Sequence, residues 1–229
     1  YTKWGNRAQT NTTRLDLVGN DGIDEEYFAL FNQIEQTHYG VELDFLMKPT
    51  MDLTINGFAS IGNWEYSDNP IQSLYRSDDL SVVEGYSNVT SYVEGEKIGH
   101  APQTSFGLGV DYQIMENLSV DADWFYYADL YAGIDPVNFT DATAEAEIVK
   151  LPNYDLVSVG VSYELPLTQT SALQFRGNVD NLFNEVYLSS LESNNAVTPG
   201  ADTFKGVNTT NRGYWGLDRQ WSLSVRYTF

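Results

Sequence analysis

The chain has 229 residues, a formal net charge of −20 and no cysteine, and 14% of its residues are aromatic. The negative charge would repel phosphates and argues against nucleic-acid binding, while the lack of cysteine excludes disulfides and Cys-ligated zinc. No run of 18 apolar residues is present, so the sequence predicts no transmembrane helix. Strands that cross a membrane stay compatible with this composition, because they need an apolar residue at only every second position.

Alternation of apolar and polar residues recurs along the chain and predicts about eight strands. The first, over residues 1–14, is polar and weakly patterned. The next two, over residues 28–48 and 51–61, are separated by a tight turn at Pro49. The other five predicted strands follow a polar loop and cover residues 105–114, 118–130, 157–165, 173–180 and 221–229.

Apart from the weakly patterned first strand, each predicted strand has one apolar face and one polar face. On the fifth strand the pattern places Trp124 and Leu130 on the apolar face, whereas Asp121, Asp123 and Asp129 share the polar face. We expect the apolar faces to contact lipid and the polar faces to line a lumen, since lipid-facing and lumen-facing residues alternate in barrels that span membranes.

The connections alternate between short and long, so the long loops all lie at one end of the predicted sheet. Short turns fall near Pro49, Glu116 and Pro166. Outer-membrane barrels have this asymmetry, with short periplasmic turns and long external loops. Aromatic residues near strand ends, such as Trp221 and Phe229, are typical of an interfacial girdle. The sequence therefore predicts an all-β fold, a transmembrane antiparallel β-barrel.

The predicted inward positions indicate how large this barrel is. Eight strands alone would close into a narrow barrel that is filled by its own side chains. The inward positions instead carry many glycine, serine and aspartate residues, which do not make such a filling. We therefore expect the chain to supply about eight C-terminal strands of a larger barrel.

Three segments carry a family resemblance. Residues 178–187, Asn-Val-Asp-Asn-Leu-Phe-Asn-Glu-Val-Tyr, fit the pattern Asn-x-x-Asn-Leu-Phe-(Asp/Asn)-x-x-Tyr at every position. Residues 36–44 resemble a strand with a Gly-(Val/Ile)-Glu core, and residues 226–229 give an aromatic carboxyl terminus. In order and spacing these features resemble the last eight strands of the TonB-dependent outer-membrane receptors, whose barrel has 22 strands. The motif residues are Asn178, Asn181, Leu182, Phe183 and Tyr187.

This resemblance implies that residues 1–229 are the C-terminal portion of such a barrel; the family's N-terminal plug domain and coupling box are not recognisable in the sequence. It implies a place in the outer membrane of a Gram-negative bacterium, among lipid and lipopolysaccharide, with a periplasmic energy-coupling protein as partner. In one branch of the family a surface lipoprotein forms a lid. The barrel-assembly machinery would read the alternating residues of the last strand, which are Trp221, Leu223, Val225, Tyr227 and Phe229.

Aromatic residues are the candidate substrate contacts. No catalytic constellation is present, so the chain is not expected to be an enzyme, and His38 and His100 match no metal-ligand pattern. His38 is predicted on the lumen face. Aromatic side chains at inward positions or near external loops could stack on a ligand. They are Tyr66, Tyr127, Tyr131, Tyr214 and Trp215.

No cofactor is expected, with one exception. Acidic external loops could hold Ca²⁺ through carboxylate oxygens, although their spacing does not match an EF-hand loop. The two acidic groups are Asp21, Asp24, Glu25 and Glu26, and Asp78, Asp79 and Glu84.

Three functions fit these patterns. The leading one is active uptake of a nutrient, which would be a siderophore, an oligosaccharide or a peptide. The second is a scaffold barrel in a larger outer-membrane complex that transports nothing. The third is a soluble all-β binding module such as a lectin, which would stay monodisperse without detergent.

Overall fold

The computed structural model describes residues 1–15, 17, 25–133, 139–143 and 148–229, and within them the protein is all-β. No helix in these ranges is long and apolar enough to cross a membrane. The strands are β1 (Thr2–Leu15), β2 (Glu25–Met47), β3 (Leu53–Tyr66), β4 (Ile71–Arg76), β5 (Val89–Thr90), β6 (Thr104–Met115), β7 (Leu118–Ala128), β8 (Tyr154–Pro166), β9 (Ala172–Asp180), β10 (Leu188–Leu191), β11 (Thr203–Phe204), β12 (Val207–Asn208), β13 (Gly213–Trp215) and β14 (Gln220–Thr228).

Eight long strands form one continuous antiparallel wall in the order β1, β2, β3, β6, β7, β8, β9 and β14. These are the eight predicted strands, and each pairs with the next long strand along the chain. Neither outer strand, β1 or β14, pairs with the other among the described residues, so the wall is open. The expected barrel wall is confirmed, as a part of a larger barrel.

The pairing register confirms the predicted faces. Asp121 lies opposite Gly160, which lies opposite Asn178, and Asn178 lies opposite Ser222, so one row across four strands is polar. The adjacent row runs from Ala122 through Val159 and Val179 to Trp221 and is apolar. Because a slip of one residue would exchange the two faces, this register fixes which side of the wall is apolar, and we assign that side to lipid as predicted. The strongly exposed apolar side chains of β14 lie on that side; they are Trp221, Leu223, Val225 and Tyr227.

An aromatic band marks the external end of the lipid-facing side. The Phe106 and Tyr126 rings stack with centroids 6.1 Å apart, and Trp124 lies 6.3 Å from Tyr126. Their polar atoms point beyond the band, since Trp124 Nε1 donates to Asp155 at 3.3 Å and the Tyr126 hydroxyl accepts from Asn153 at 3.0 Å. Rings with one apolar and one hydrated end suit a membrane interface, as the sequence predicts.

The external ends of the strands carry the well-buried cores, in contrast to the wall. The first cluster joins β2 to β4 and consists of Tyr27, Ala29, Phe31, Ile34, Leu74 and Val83. The second cluster joins the loops that follow β7 and β9 and consists of Leu130, Ala132, Ile148, Leu151, Leu188, Leu191 and Val207. The described parts of these external segments are therefore packed structures beyond the wall.

Two of the long polar loops differ from the sequence prediction. Residues 67–99 contain β4, which pairs with the external half of β2, and the short strand β5. Residues 189–217 contain most of β10 and all of β11, β12 and β13, which form two small hairpin sheets. Strands of two to six residues are too short to show a period-two pattern, so the sequence prediction missed them.

The end of the fifth predicted strand was wrong by two residues. β7 ends at Ala128, and Asp129 has a left-handed backbone φ of 53° that turns the chain out of the sheet. Leu130 is consequently 3% exposed inside the second cluster instead of facing lipid. Asp129 does not line the lumen with Asp121 and Asp123; its carboxylate binds Lys150 and Thr104.

Arginine substitutions on the two faces of β8 test this orientation. Val159→Arg would place a charge at the lipid face and should destabilise the full-length barrel by about 2–4 kcal/mol if it lies near the bilayer midplane. The matched control, Ser158→Arg, lies on the inner face opposite Asp123 and should cost much less. Chemical unfolding in lipid vesicles measures both, and equal losses would show that the faces are assigned wrongly.

Candidate functional site

The inner face of the wall carries an ion-pair network across four strands. The Arg176 guanidinium binds both carboxylate oxygens of Asp121, donates to the Ser162 hydroxyl at 3.1 Å and donates to the Asn178 amide oxygen at 2.6 Å. Asn178 in turn donates to Ser222 on β14 at 3.2 Å. A charged pair of this kind is costly to bury in an apolar medium, so the network indicates a hydrated or polar lumen.

A glycine makes room for this network. Gly160 lies between Asp121 and Asn178 in the register, and a Cβ at Gly160 would come within 2.6 Å of the Asp121 carboxylate. It would also come within 2.3 Å of an Arg176 guanidinium nitrogen. The sequence pattern assigned Arg176 to the inner face but gave it no role. A single arginine among inward-facing aspartates was the sequence signal that could have predicted an ion pair here.

Four aromatic rings follow one another on the inner face of the wall, and with a fifth ring beyond the wall they form what we call the inner aromatic column. Phe58 lies 6.2 Å from Phe125, Phe125 lies 6.4 Å from Tyr127, and Tyr127 lies 5.1 Å from Tyr154. Tyr154 stacks on Tyr187 at 4.2 Å. The column starts on β3, crosses β7 to the first residue of β8, and ends in the segment after β9. It therefore leads from the inner wall to the external loops.

Sequence reasoning found only part of this column. Tyr127 was predicted as a substrate contact and Tyr187 as a motif residue, but Phe58, Phe125 and Tyr154 were given no binding role. Phe58 and Phe125 occupy inner-face positions of strands whose other inner-face residues are mostly polar, such as Asn56 and Asp123. A phenylalanine at a position where the alternation predicts an inward-facing polar residue is the signal that could have identified these two rings as candidate contacts.

Three of the predicted substrate contacts lie around the second cluster. Tyr127 and Tyr131 pack against it from the external end of β7. Trp215 meets Phe204 edge-on at 4.7 Å and lines a cavity of about 100 Å³ with Leu188 and other loop residues. These three contact one structural unit, although Tyr131 is less inward than predicted because the chain leaves the sheet after Ala128.

The other two predicted contacts lie elsewhere. Tyr66 ends β3 and packs against the first cluster. The side chain of Tyr214 is 64% exposed on β13, where its backbone oxygen accepts a hydrogen bond from Ser189 at 3.0 Å. The five predicted residues therefore do not form one pocket, and their role in substrate binding stays a prediction.

The family motif forms a junction between β9, the last external loop and β14. Asn181 is 6% exposed and has a left-handed φ of 50°. Its amide donates to the backbone oxygens of Glu185 at 2.9 Å and Leu217 at 3.0 Å, and its side-chain oxygen accepts from the Glu185 amide at 2.8 Å. Asn184 accepts from the Arg219 amide at 2.9 Å. These bonds hold the two ends of the loop together directly before the last strand.

The remaining motif residues divide into contacts and an exposed position. The Leu182 amide donates to the Val157 backbone oxygen at 2.7 Å. Tyr187 lies so close over Gly216 that a Cβ there would fall 1.8 Å from its ring. Phe183 is 74% exposed. Most of the motif is thus explained as loop closure, and Phe183 makes no buried contact.

The last strand presents its alternating apolar residues on one side. Trp221 is 80% and Phe229 is 93% exposed. The Tyr227 and Phe229 rings stack at 5.7 Å. An exposed terminal edge with an apolar face agrees with the predicted assembly signal, whose reading by the assembly machinery stays a prediction.

The acidic loop groups show ordinary hydrogen bonds where the structure describes them. Asp21 and Asp24 lie outside the described residues. Asp79 accepts from the Ser81 amide at 2.8 Å, and hydrogen bonds with Ser81 lower the pKa of Asp79. No group of three or more possible metal ligands occurs within the described ranges. Ca²⁺ at these loops stays a prediction.

An exposed ion pair closes the loop beyond β7. Lys150 Nζ lies 2.6 Å from Asp129 Oδ1, and the Thr104 hydroxyl donates to Asp129 Oδ2 at 2.7 Å. Hydrogen bonds from Lys150 and Thr104 lower the pKa of Asp129, and the bond to Asp129 raises the pKa of Lys150. Because both side chains are over one third exposed, solvent screens this pair and its contribution is small.

Comparison with known proteins assigns this wall to a family. The family model described as TonB dependent receptor-like, beta-barrel matches residues 1–182. The ferric-catecholate import receptor Fiu from K12 E. coli, in its closed form, superposes with a TM-score of 0.50 and 15% sequence identity. The match covers 96% of this chain and 27% of the Fiu chain. No curated protein matches the sequence.

The chain belongs to the TonB-dependent receptor-like β-barrel family. The all-β wall, the lipid-facing apolar side and the polar inner side agree with that assignment. This is a family of outer-membrane receptors and not a class of enzymes. The chain spans about a quarter of the length of the solved receptor it resembles.

Replacing Asn181 tests the loop junction. Asn181→Ala removes three hydrogen bonds and puts alanine at a left-handed φ, so the full-length barrel should lose at least about 2 kcal/mol of stability. Phe183→Ser, in the same motif but at an exposed position, should change stability by less than about 0.5 kcal/mol. Urea unfolding in detergent micelles compares the two variants. Similar losses of stability would contradict the role of Asn181 in holding the loop junction together.

Changes at Phe229 test the assembly signal. Deletion of Phe229 or Phe229→Glu should lower the amount of folded receptor in the outer membrane, whereas Phe229→Tyr should preserve it because the aromatic ring remains. Thr228→Ala, on the other face of β14, is the matched control. The amount of folded receptor is measured in outer-membrane fractions by its heat-modifiable migration on gels. Normal levels of the folded Phe229→Glu variant would contradict the prediction that Phe229 is part of an assembly signal.

Proposed function

We propose that the chain is the C-terminal wall of a receptor that takes up a scarce nutrient across the outer membrane of a Gram-negative bacterium. Family membership supports the general role. The observation that carries the proposal is the polar inner row that includes Asp121, Gly160 and Asn178. A wall with this face needs a wide lumen filled by water or by a polar domain.

The substrate would enter from the external side. The folded loops and the inner aromatic column meet at that end of the wall, near Tyr154 and Tyr187. A plug domain supplied by the rest of the protein would fill the lumen, and a periplasmic energy-coupling protein would drive release. Lipid and lipopolysaccharide would surround the wall, and a surface lipoprotein could cover the loops.

Growth under defined limitation tests the uptake function. Strains that lack the receptor, the energy-coupling protein, or both are compared in iron-limited, glycan-only and peptide-only media. In at least one medium, the strain that lacks the receptor should show part or all of the growth defect of the strain that lacks the coupling protein. The strain that lacks both should grow no worse than the strain that lacks the coupling protein alone. The full-length wild-type receptor should restore growth.

The scaffold alternative gives a different result in the same experiment. If the barrel only organises an outer-membrane complex, its deletion should leave growth unchanged in all three media and dissociate copurifying membrane proteins. That outcome would overturn the uptake proposal.

A further inference from the structure

We propose that Phe58, Phe125, Tyr127 and Tyr154 form a binding track for an uncharged carbohydrate. This proposal rests on the uptake function above and names its substrate class. The four rings belong to three wall strands and lie in series, with neighbouring centroids 5.1–6.4 Å apart. The track is therefore continuous along the inner face.

The first ring of the track covers a glycine of the neighbouring strand and is partly exposed. Phe58, Gly107 and Phe125 are register partners across β3, β6 and β7. A Cβ at Gly107 would come within 2.3 Å of the Phe58 ring, so the ring covers the backbone there. Phe58 nevertheless remains 37% exposed. The exposed part of this apolar ring lies on the inner side of the wall, where a ligand in the lumen could contact it.

Hydroxyl groups accompany these rings at the external end. The Tyr154 ring is tilted against Tyr127 and stacks on the adjoining Tyr187. None of the three hydroxyls makes a hydrogen bond to another described residue. Each phenol can donate one hydrogen bond and accept others. A ligand with an apolar flat face and a polar rim matches this combination, and a pyranose ring has both.

The charge of the inner wall selects against anionic ligands. Asp121 and Asp123 share the inner face of β7 with Phe125 and Tyr127, and Asp111 lies opposite Asp121. Arg176 is the cation that binds this group, so the carboxylates stay in excess. A ferric tris-catecholate complex is an anion and would be repelled at this wall, whereas a neutral saccharide would not.

Titration of the purified full-length receptor tests the track. Calorimetry in detergent with maltohexaose, cellohexaose and xylohexaose should show saturable binding of at least one of them. Phe125→Ala and Tyr127→Ala should each weaken that binding by about tenfold. Tyr127→Phe should weaken it less, since only the hydroxyl is lost.

Phe106→Ala is the matched control. Phe106 also stacks on a neighbouring tyrosine, Tyr126 at 6.1 Å, but on the lipid-facing side, so its loss should leave saccharide affinity unchanged. The proposal is overturned if none of the three saccharides binds, if Phe106→Ala weakens binding as much as Phe125→Ala, or if a ferric tris-catecholate complex or a basic peptide binds in their place.

The two proposals fail in different ways. Coupling-dependent growth without binding of any saccharide would reject the track and leave the uptake function standing. Saccharide binding that depends on Phe125, combined with growth that is indifferent to the receptor, would reject uptake and support the track.

Discussion

The structure depends on backbone hydrogen bonding in a medium without water. Inside a bilayer an unpaired amide or carbonyl group is costly, so every spanning strand must pair along its whole length. Antiparallel pairing then fixes a period of two, and the register from Asp121 through Gly160 to Asn178 keeps the residues of this polar row on one side of the wall. The neighbouring row through Val159 and Val179 faces lipid for the same reason.

A consequence of this constraint is that the wall has no apolar core of its own. Most of its apolar side chains face lipid and most of its inner side chains are polar, apart from the rings of the inner aromatic column, so the well-buried clusters lie where the strands leave the membrane. Leu130 shows the transition, because two residues beyond the end of β7 it changes from a lipid-facing phase to a buried position. At the last loop, the hydrogen bonds between Asn181 and its backbone partners likewise stabilise the chain where it leaves the wall.

The sequence predicts the wall well because the wall obeys a local rule. Apart from the weakly patterned first strand, alternation over about ten residues identifies each long strand and its two faces, and the register confirms the assignment for β7, β8 and β9. The loops obey no such rule. β4 is recognised only by its pairing with the external half of β2, which is distant in sequence. The contact between Trp215 and Phe204 depends on how the loop folds, and the spacing of residues in the sequence does not predict it. The candidate site was therefore only partly predictable, with Tyr127 found and Phe125 missed.

Aromatic rings on the lipid-facing side and on the inner side of the wall need different explanations. Phe106 faces lipid within an aromatic band whose polar atoms reach the interface, and an apolar medium alone explains it. Phe58 lies on the polar side, where lipid cannot account for it and where the neighbouring glycine brings the ring down onto the backbone. Phe58 stays 37% exposed among the described residues, so part of the ring is open to the lumen. Tyr127 and Tyr154 also pack against the second cluster, but Phe58 and Phe125 belong to neither external cluster. For these two rings, contact with whatever occupies the lumen, either the domain that fills it or a ligand that crosses it, would account for an apolar side chain on the polar face.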